Sequence, residues 1–348
     1  METQNNEKTV LITGASSGIG RELTRLFAKD GYNLVLVGRD EESLQQLASN
    51  FYNQYGTQTT IINKDLADPK APEEIYGETS GKGQQIDILV NDAGFGEYGM
   101  FATETDLQKE LSVVQVNAVA LMHLTKLYLK DMVARNNGKI LMLGSEVSVV
   151  PNPMMAVYGA TKAFIKSFSE AIRNELIGTN VTVTVLMPGA TNTNFFKVAG
   201  AENIKGADPQ KTANPADVAK EGYEALMSGK DHVVAGWMNK ARVALGHILP
   251  DPLLAAQTRK DMTPKEEAEQ QQKQTTAIAV AVGIAVLGGI WLFSRNRHSY
   301  VPSAYDKMKY RYKANKAGRT AKNALDNVAD SIKGSYKRAK DTVEDTIA

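Results

Sequence analysis

Cysteine is absent from the 348 residues, which excludes disulfide bonds and thiolate metal sites and is consistent with a reducing compartment. Histidine is scarce, and His123, His232, His247 and His298 are too widely scattered to match a metal-ligand spacing. We therefore assign no metal. The N-terminus lacks the apolar core of a signal peptide, and a β-branched run begins within ten residues, so that we expect no cleaved export signal.

The whole chain has nearly equal numbers of basic and acidic residues, but they are unevenly distributed along it. Residues 294–348 hold 13 Lys and Arg against 6 Asp and Glu, which leaves 27 against 33 on residues 1–293. The tail and the body of the chain therefore have different tasks. No nucleic-acid motif and no set of stacking aromatics accompanies the basic residues, so that we expect no nucleic-acid partner.

One long stretch has no charge at all. Lys273 and Arg295 enclose 21 uncharged residues, and residues 277–293 are apolar throughout. This pattern predicts a transmembrane helix over residues 275–293, after a polar linker at 263–274. Apolar residues at intervals of three or four predict an amphipathic helix in the basic tail, 294–348, which fits a lipid membrane or a helical partner. A plain solvated helix is the alternative for this tail. A self-associating segment of a soluble enzyme is the alternative to the membrane helix.

The rest of the chain alternates β-branched runs with runs of helical periodicity. Strands are predicted at 9–14, 33–38, 59–65, 86–94, 138–145, 181–189 and 231–237, and helices at 18–31, 41–55, 106–135, 156–178 and 214–230. Strands that are apolar on both faces and are separated by helices indicate a parallel sheet covered on both sides. We predict a doubly wound, Rossmann-type α/β domain over residues 1–240, followed by a helical extension at 241–262.

The segment TGASSGIG, residues 13–20, connects the first predicted strand to the first predicted helix. Glycines at 14, 18 and 20 permit a tight turn and a close approach to phosphate, while the helix N-terminus offers N–H groups and a positive dipole end. The spacing differs from the G-x-G-x-x-G fingerprint, but the same physical argument predicts nucleotide binding.

Arg39 comes directly after the second predicted strand, where a dinucleotide site reads the adenosine ribose. A basic side chain there pairs with a 2′-phosphate, so that Arg39 favours NADP(H) over NAD(H). The alternative is an exposed arginine beside an Asp40 that caps the next helix and serves NAD.

Tyr158 and Lys162 lie four residues apart in a predicted helix and therefore project from one face. The spacing alone leaves open whether they are packing residues or an acid beside a cation. Their context is more specific: TGASSGIG, NDAG at 91–94, Ser145, YGATK at 158–162 and PGATNT at 188–193 follow one another along the chain. In this order, and on these elements, they resemble the short-chain dehydrogenase/reductase family over about residues 8–237. Asp92 departs from the family, which more often has Asn at that position.

The resemblance implies catalytic roles for four residues. Tyr158 is expected to act as general acid or base on a carbonyl/alcohol pair, with its pKa lowered by Lys162 and by an oxidised nicotinamide. Lys162 is expected to bind the nicotinamide ribose, Ser145 to hydrogen-bond the substrate oxygen, and Asn117 to kink its helix and hold a water. Together with the glycine turn and Arg39, the resemblance predicts a cofactor site of Thr13, Gly14, Ser16, Ser17, Gly18, Ile19, Gly20, Arg39, Asp65, Leu66, Asn91, Ala93, Gly94, Tyr158, Lys162, Pro188, Gly189, Thr191 and Thr193.

The sequence thus predicts an NADP(H)-dependent oxidoreductase that interconverts a carbonyl and an alcohol. The resemblance further implies a homo-oligomer, a dimer or tetramer, and a substrate lid at 195–214 in which Phe195 and Phe196 line an apolar pocket. The membrane segment hints at an apolar or lipid-like small-molecule substrate. Arg295 and Arg297 favour a cytoplasmic tail, which would place the catalytic domain on the other side of the membrane. The missing export signal and the cytosolic cofactor favour a cytoplasmic catalytic domain instead. We expect the catalytic domain to be cytoplasmic. A membrane-associated nucleotide-binding scaffold or sensor with little turnover is the alternative function.

Overall fold

A computed structural model describes residues 8–246 and 249–267 of the chain. Within these ranges the strands are β1 Thr9–Thr13, β2 Asn33–Gly38, β3 Thr59–Asn63, β4 Ile88–Asn91, β5 Gly138–Leu143, β6 Val181–Met187 and β7 His232–Val234. The α-helices are α1 Gly18–Lys29, α2 Glu41–Tyr55, α3 Ala71–Glu78, α4 Leu107–Val114, α5 Leu121–Ala134, α6 Ala156–Glu175, α7 Phe195–Ala199, α8 Pro215–Met227, α9 Trp237–Gly246 and α10 Asp251–Asp261.

The seven strands form one parallel sheet in the order β3-β2-β1-β4-β5-β6-β7. The direction of winding reverses between β1 and β4, where Val10 pairs with Ile88. In open sheets of this kind, ligands bind at the carboxyl ends of the strands beside the reversal. The structure therefore confirms the predicted Rossmann-type α/β fold and places a ligand crevice after β1, β4 and β5.

The core has two layers, one on each face of the sheet, because successive side chains of a strand point to opposite faces. On β1, Leu11 packs in the layer that includes Leu124 of α5, while Val10 and Ile12 pack in the layer that includes Leu23 of α1. These five side chains are fully buried. The arrangement explains why the strands are apolar on both faces.

The crossover from β3 to β4 contains α3, a helix that the sequence pattern did not predict. It is eight residues long, with Pro72 in its first turn and Gly77 near its end. Ile75 is fully buried and packs in the core layer that also contains Leu11 of β1. Two turns are too short to establish a 3.6-residue period, so that tertiary packing rather than periodicity identifies this helix.

The single helix predicted over 106–135 is divided in the structure. A π-helical stretch, Gln115–Ala120, separates α4 from α5. Asn117 lies within it and is fully buried; its side chain bonds both the N–H and the carbonyl of Phe95. π-Helical turns are frequent at functional sites, and apolar spacing does not reveal them because the pattern continues through the stretch.

The region predicted as a helical extension contains most of α9 and the whole of α10, with Pro250 immediately before α10. After α10 the backbone returns to the segment that follows α7: Lys205 N–H donates to Thr263 O at 3.1 Å, and Lys265 N–H to Asn203 O at 2.8 Å. The first residues of the predicted linker therefore pack on the α/β domain.

The predicted membrane helix, 275–293, and the predicted amphipathic tail, 294–348, lie outside the described residues. Among the helices that the structure describes, none combines the length and the apolar character needed to cross a bilayer.

Candidate active site

A cavity of about 1550 Å³ lies at the carboxyl ends of β1, β2, β4, β5 and β6. Sixteen of the residues predicted for the site line it: Gly14, Ser16, Ser17, Gly18, Ile19, Arg39, Asp65, Leu66, Ala93, Gly94, Ser145, Tyr158, Pro188, Gly189, Thr191 and Thr193. The others, Thr13, Gly20, Asn91, Asn117 and Lys162, do not line it and are buried. The structure thus brings together groups that are far apart in the sequence.

The glycine turn between β1 and α1 has the geometry of an anion cradle. Gly14 and Gly18 have positive φ angles of 71° and 55°, which other residues rarely adopt. A Cβ on Gly14 would lie 2.9 Å from Ala93 Cα, so that a side chain at position 14 would clash with the backbone after β4. Ser17, the N-cap of α1, makes no side-chain capping bond, and the first turn has no acidic residue. The helix N-terminus is therefore suited to a phosphate, and the turn fits a dinucleotide.

Two oppositely charged side chains lie at the end of the cavity that is predicted for adenosine. Arg39 Nη1 lies 3.7 Å from Asp65 Oδ2, and both side chains are exposed. Asp40 caps α2: its carboxylate accepts from Ser43 N at 3.0 Å and from Ser43 Oγ at 2.6 Å. These bonds engage both carboxylate oxygens of Asp40. Arg39, rather than Asp40, is therefore available to a ligand.

Tyr158 and Ser145 approach each other at the opposite end of the cavity. Ser145 caps a short 3-10 helix after β5, and its hydroxyl accepts from Val147 N at 3.3 Å. The Tyr158 hydroxyl is hydrogen-bonded to the Ser145 side chain. The Phe195 ring lies 5.0 Å from the Tyr158 ring and covers it. A phenol and an aliphatic hydroxyl are thus held side by side in a partly apolar wall.

Burial has the largest effect on the pKa of Tyr158. Among the protein groups alone, burial raises the pKa of Tyr158 to about 12; the hydrogen bond from Ser145 acts in the opposite direction, and the Glu146 carboxylate adds to the rise. Lys162 is not among the groups that shift this pKa, and the predicted lowering in a complex with an oxidised nicotinamide stays a prediction. The phenol is therefore kept protonated at neutral pH.

Lys162 lies behind the cavity wall rather than on it. Its Nζ donates to Leu143 O at 2.6 Å and lies 5.6 Å from the centroid of the Tyr158 ring. Burial lowers the pKa of Lys162 to about 8, against the opposing effect of the Asp92 carboxylate. The predicted contact of Lys162 with a ribose stays a prediction, as does the water that we expected on Asn117, whose amide also bonds Thr161 Oγ1 at 3.2 Å.

Two segments complete the wall around the predicted nicotinamide position. Pro188 O accepts from Glu146 N at 2.8 Å, which holds the end of β6 against the loop that carries Ser145. Thr191 Oγ1 donates to Gly189 O at 2.9 Å. Asn91 supports the wall from behind, since its side-chain amide donates to Thr125 Oγ1 at 3.0 Å on α5.

The sequence analysis missed the contribution of α10. Leu253, Leu254 and Met262 line the same cavity as Tyr158, and the Tyr98 hydroxyl donates to Met262 O at 2.7 Å. Arg242 bridges Glu146, at 3.4 Å, and Asp261, at 3.6 Å. The adjacent leucines in DPLLAAQ were the available signal, but an apolar pair on a short helix does not indicate which surface it covers.

Known proteins share these features. The family model described as short chain dehydrogenase matches residues 8–203. The chain is 35% identical over 225 residues to an uncharacterized short-chain type dehydrogenase/reductase of Sinorhizobium fredii, covering 63% of this chain and 86% of that protein. It is 36% identical over 200 residues to the NADP-dependent 3-hydroxy acid dehydrogenase YdfG of Shigella flexneri, covering 57% and 77%.

A solved structure shows the same fold. A short-chain dehydrogenase from Sphingobium yanoikuyae in complex with NADPH superposes with a TM-score of 0.60 and 28% sequence identity, over 70% of this chain and 96% of that one. The parallel sheet, the glycine turn and the neighbouring Ser145 and Tyr158 therefore have a common explanation: this chain is an oxidoreductase of the short chain dehydrogenase family.

Proposed function

We propose that the protein interconverts a carbonyl compound and an alcohol with NADP(H). The observation that carries this proposal is that the hydrogen-bonded pair of Tyr158 and Ser145 lines the same cavity as the glycine turn before α1. A dinucleotide that spans the cavity would have its pyrophosphate at the turn and its nicotinamide near Tyr158.

When bound, the nicotinamide supplies hydride to the substrate carbon or accepts it. The residues of this chain perform the remaining tasks. Tyr158, kept protonated by burial, donates its proton to the substrate oxygen, and Ser145 orients that oxygen by a hydrogen bond. In the direction of alcohol oxidation the same phenol has to act as a base, which requires further stabilisation of the phenolate. Lys162, whose Nζ lies 5.6 Å from the Tyr158 ring centroid, is the nearby cation for this role.

We propose an apolar substrate. The wall beyond Tyr158 combines Phe195 and Phe196 from α7 with Leu253 and Leu254 from α10. Burial of apolar surface contributes about 25 cal/mol per Å², so that these side chains favour a substrate with a hydrocarbon body next to its carbonyl.

We propose NADP(H) rather than NAD(H) because the exposed Arg39 follows β2 while Asp40 is engaged in capping α2. The relative from Shigella flexneri is described as NADP-dependent, and the Sphingobium structure contains NADPH. The scaffold alternative receives no support, since the hydroxyls of Ser145 and Tyr158 are already in hydrogen-bonding contact.

Replacing the proposed acid tests the mechanism. Tyr158→Phe should lower kcat/KM for reduction of a carbonyl panel by roughly 10²–10⁴-fold while the protein still binds NADPH, because the aromatic ring is kept and the proton donor is lost. Tyr52→Phe removes an exposed hydroxyl and serves as the matched control. Steady-state kinetics and fluorescence titration measure the two quantities, and undiminished turnover in Tyr158→Phe would refute the assignment.

Cofactor choice is tested at Arg39. Arg39→Ala should raise KM for NADPH roughly ten-fold, since one exposed charge-assisted contact with the 2′-phosphate is lost. KM for NADH, measured on the same preparation, is the internal control and should change less than about two-fold because NADH has no 2′-phosphate. Equal effects on both cofactors would show that Arg39 does not read the phosphate.

We propose that the uncharged run at 277–293 tethers the enzyme to a membrane, with the catalytic domain in the cytoplasm. The full chain should then stay in the membrane pellet after an alkaline carbonate wash. Replacing both Ile284 and Leu287 with Lys should release it, because each buried lysine costs about 2.5–3.5 kcal/mol, whereas replacing both with Ala should not. Protease added to sealed inside-out vesicles should digest the catalytic domain. Release of the unaltered chain by carbonate would contradict the tether.

We propose that the chain forms a homo-oligomer through α4. Leu107, Leu111 and Val114 form an exposed apolar stripe on this helix, and Leu111 is 51% exposed. Leu111→Glu should therefore reduce the sedimentation coefficient of a dimer or tetramer to that of a monomer. Ile177→Glu, at an even more exposed position outside α4, should have no effect. A monomeric wild type would rule out the interface.

A further inference from the structure

Asp92 is a buried carboxyl group beneath the glycine turn. It directly follows β4 and is 8% exposed. One of its oxygens accepts a hydrogen bond from the backbone N–H of Gly20, and Oδ1 has no hydrogen-bond partner. A Cβ built on Gly20 would lie only 2.4 Å from Asp92 Oδ2, and one built on Gly14 would lie 3.2 Å from it. The carboxyl group therefore packs against both ends of the turn.

This position places the carboxyl group at the start of α1. Gly20 is the third residue of that helix, so that its N–H is one of the first four, which have no partner within the helix. These N–H groups and the helix dipole give the N-terminus its attraction for anions. An ionised Asp92, which lines the same cavity, brings a negative charge to this helix end and partly cancels that attraction.

We propose that Asp92 is a positioning residue that holds the glycine turn and, when ionised, weakens the binding of the cofactor pyrophosphate. This inference rests on the proposed function, since it assigns the pyrophosphate to the α1 N-terminus.

The surroundings of Asp92 support a carboxyl group that changes charge near neutral pH. Burial raises the pKa of Asp92 to about 7, while the Lys162 ammonium and the Gly20 N–H act in the opposite direction. On β1, Thr13 presents only its hydroxyl, which accepts from Asp92 N at 3.1 Å. Lys162 is the charged group that faces Asp92 from α6, and α1 contributes the backbone of Gly20.

The sign of the linkage follows from this pKa. The folded-state pKa lies above the unfolded value of 3.8, so that the folded state holds the extra proton between pH 3.8 and about 7. Stability is therefore lost as the pH rises through this interval, because the buried carboxyl group has to ionise. The Asp92→Asn side chain is neutral at every pH. This substitution should therefore remove both the loss of stability and the weakening of cofactor binding.

The test compares Asp92→Asn with Asp87→Asn in the full chain. Asp87 directly precedes β4, is equally buried and accepts from Thr9 N at 2.9 Å, but lies at the amino end of the strand, away from the turn. Isothermal titration at pH 8.5 and 5.5 uses two ligands, NADP⁺ and ADP. ADP contains the pyrophosphate and lacks the nicotinamide half, so that a change in its affinity does not come from the predicted contact of Lys162 with the nicotinamide ribose.

At pH 8.5, Asp92→Asn should bind both ligands roughly three- to ten-fold more tightly than wild type, whereas Asp87→Asn should not. At pH 5.5 the difference should fall below about two-fold, because the wild-type carboxyl group is then protonated. The thermal midpoint of the ligand-free Asp92→Asn protein should also rise at pH 8.5, by at least about 2 °C, and not at pH 5.5.

Unchanged or weaker affinity for ADP in a folded Asp92→Asn protein at pH 8.5 would overturn the inference and leave the proposed function standing. Failure of the wild type to bind either ligand would overturn both. If Asp92→Asn does not fold, Asp92→Ser provides the neutral side chain, and the same comparison applies.

Discussion

A close backbone contact joins the ends of β1 and β4, and the cavity depends on it. The Thr13 hydroxyl accepts from both Asp92 N and Ala93 N, each at 3.1 Å, and donates to Val90 O at 3.4 Å. The turn that follows Thr13 therefore lies directly on the backbone after β4, and only glycine at position 14 leaves room for this. Because the winding direction reverses between these two strands, the same contact lies at the crevice and forms the end that we propose for the phosphates.

Loss of hydration governs the electrostatics around this contact. Three ionisable groups lie near the cavity: Tyr158, Lys162 and Asp92. Burial shifts the pKa of each in the direction that favours its neutral form. Attraction between neighbouring opposite charges, such as Asp92 and Lys162, reduces these shifts without reversing them.

Different elements form the part of the cavity that we propose for the substrate. It is built from α7 and from α10, which comes after the last strand and is fastened by the Tyr98 hydroxyl and by the Arg242 ion pairs. The loop after β5 and helix α6 carry Ser145 and Tyr158, whereas these later segments supply the apolar side chains beside them. In the proposed function, the residues that select the substrate are thus separated along the chain from those that carry out catalysis.

Much of the fold was determined by the sequence itself, because strand and helix patterns and the glycine turn are local properties of consecutive residues. The family was identified from five motifs in order along the chain: TGASSGIG, NDAG, Ser145, YGATK and PGATNT. Tertiary structure alone decided that Lys162 lies behind the cavity wall, that α3 forms in the crossover and that α10 covers the site. It also decided that Asp92 lies against Gly20, 72 positions away in sequence. Burial and contact between distant residues set these outcomes, and neither is encoded in the spacing of neighbours.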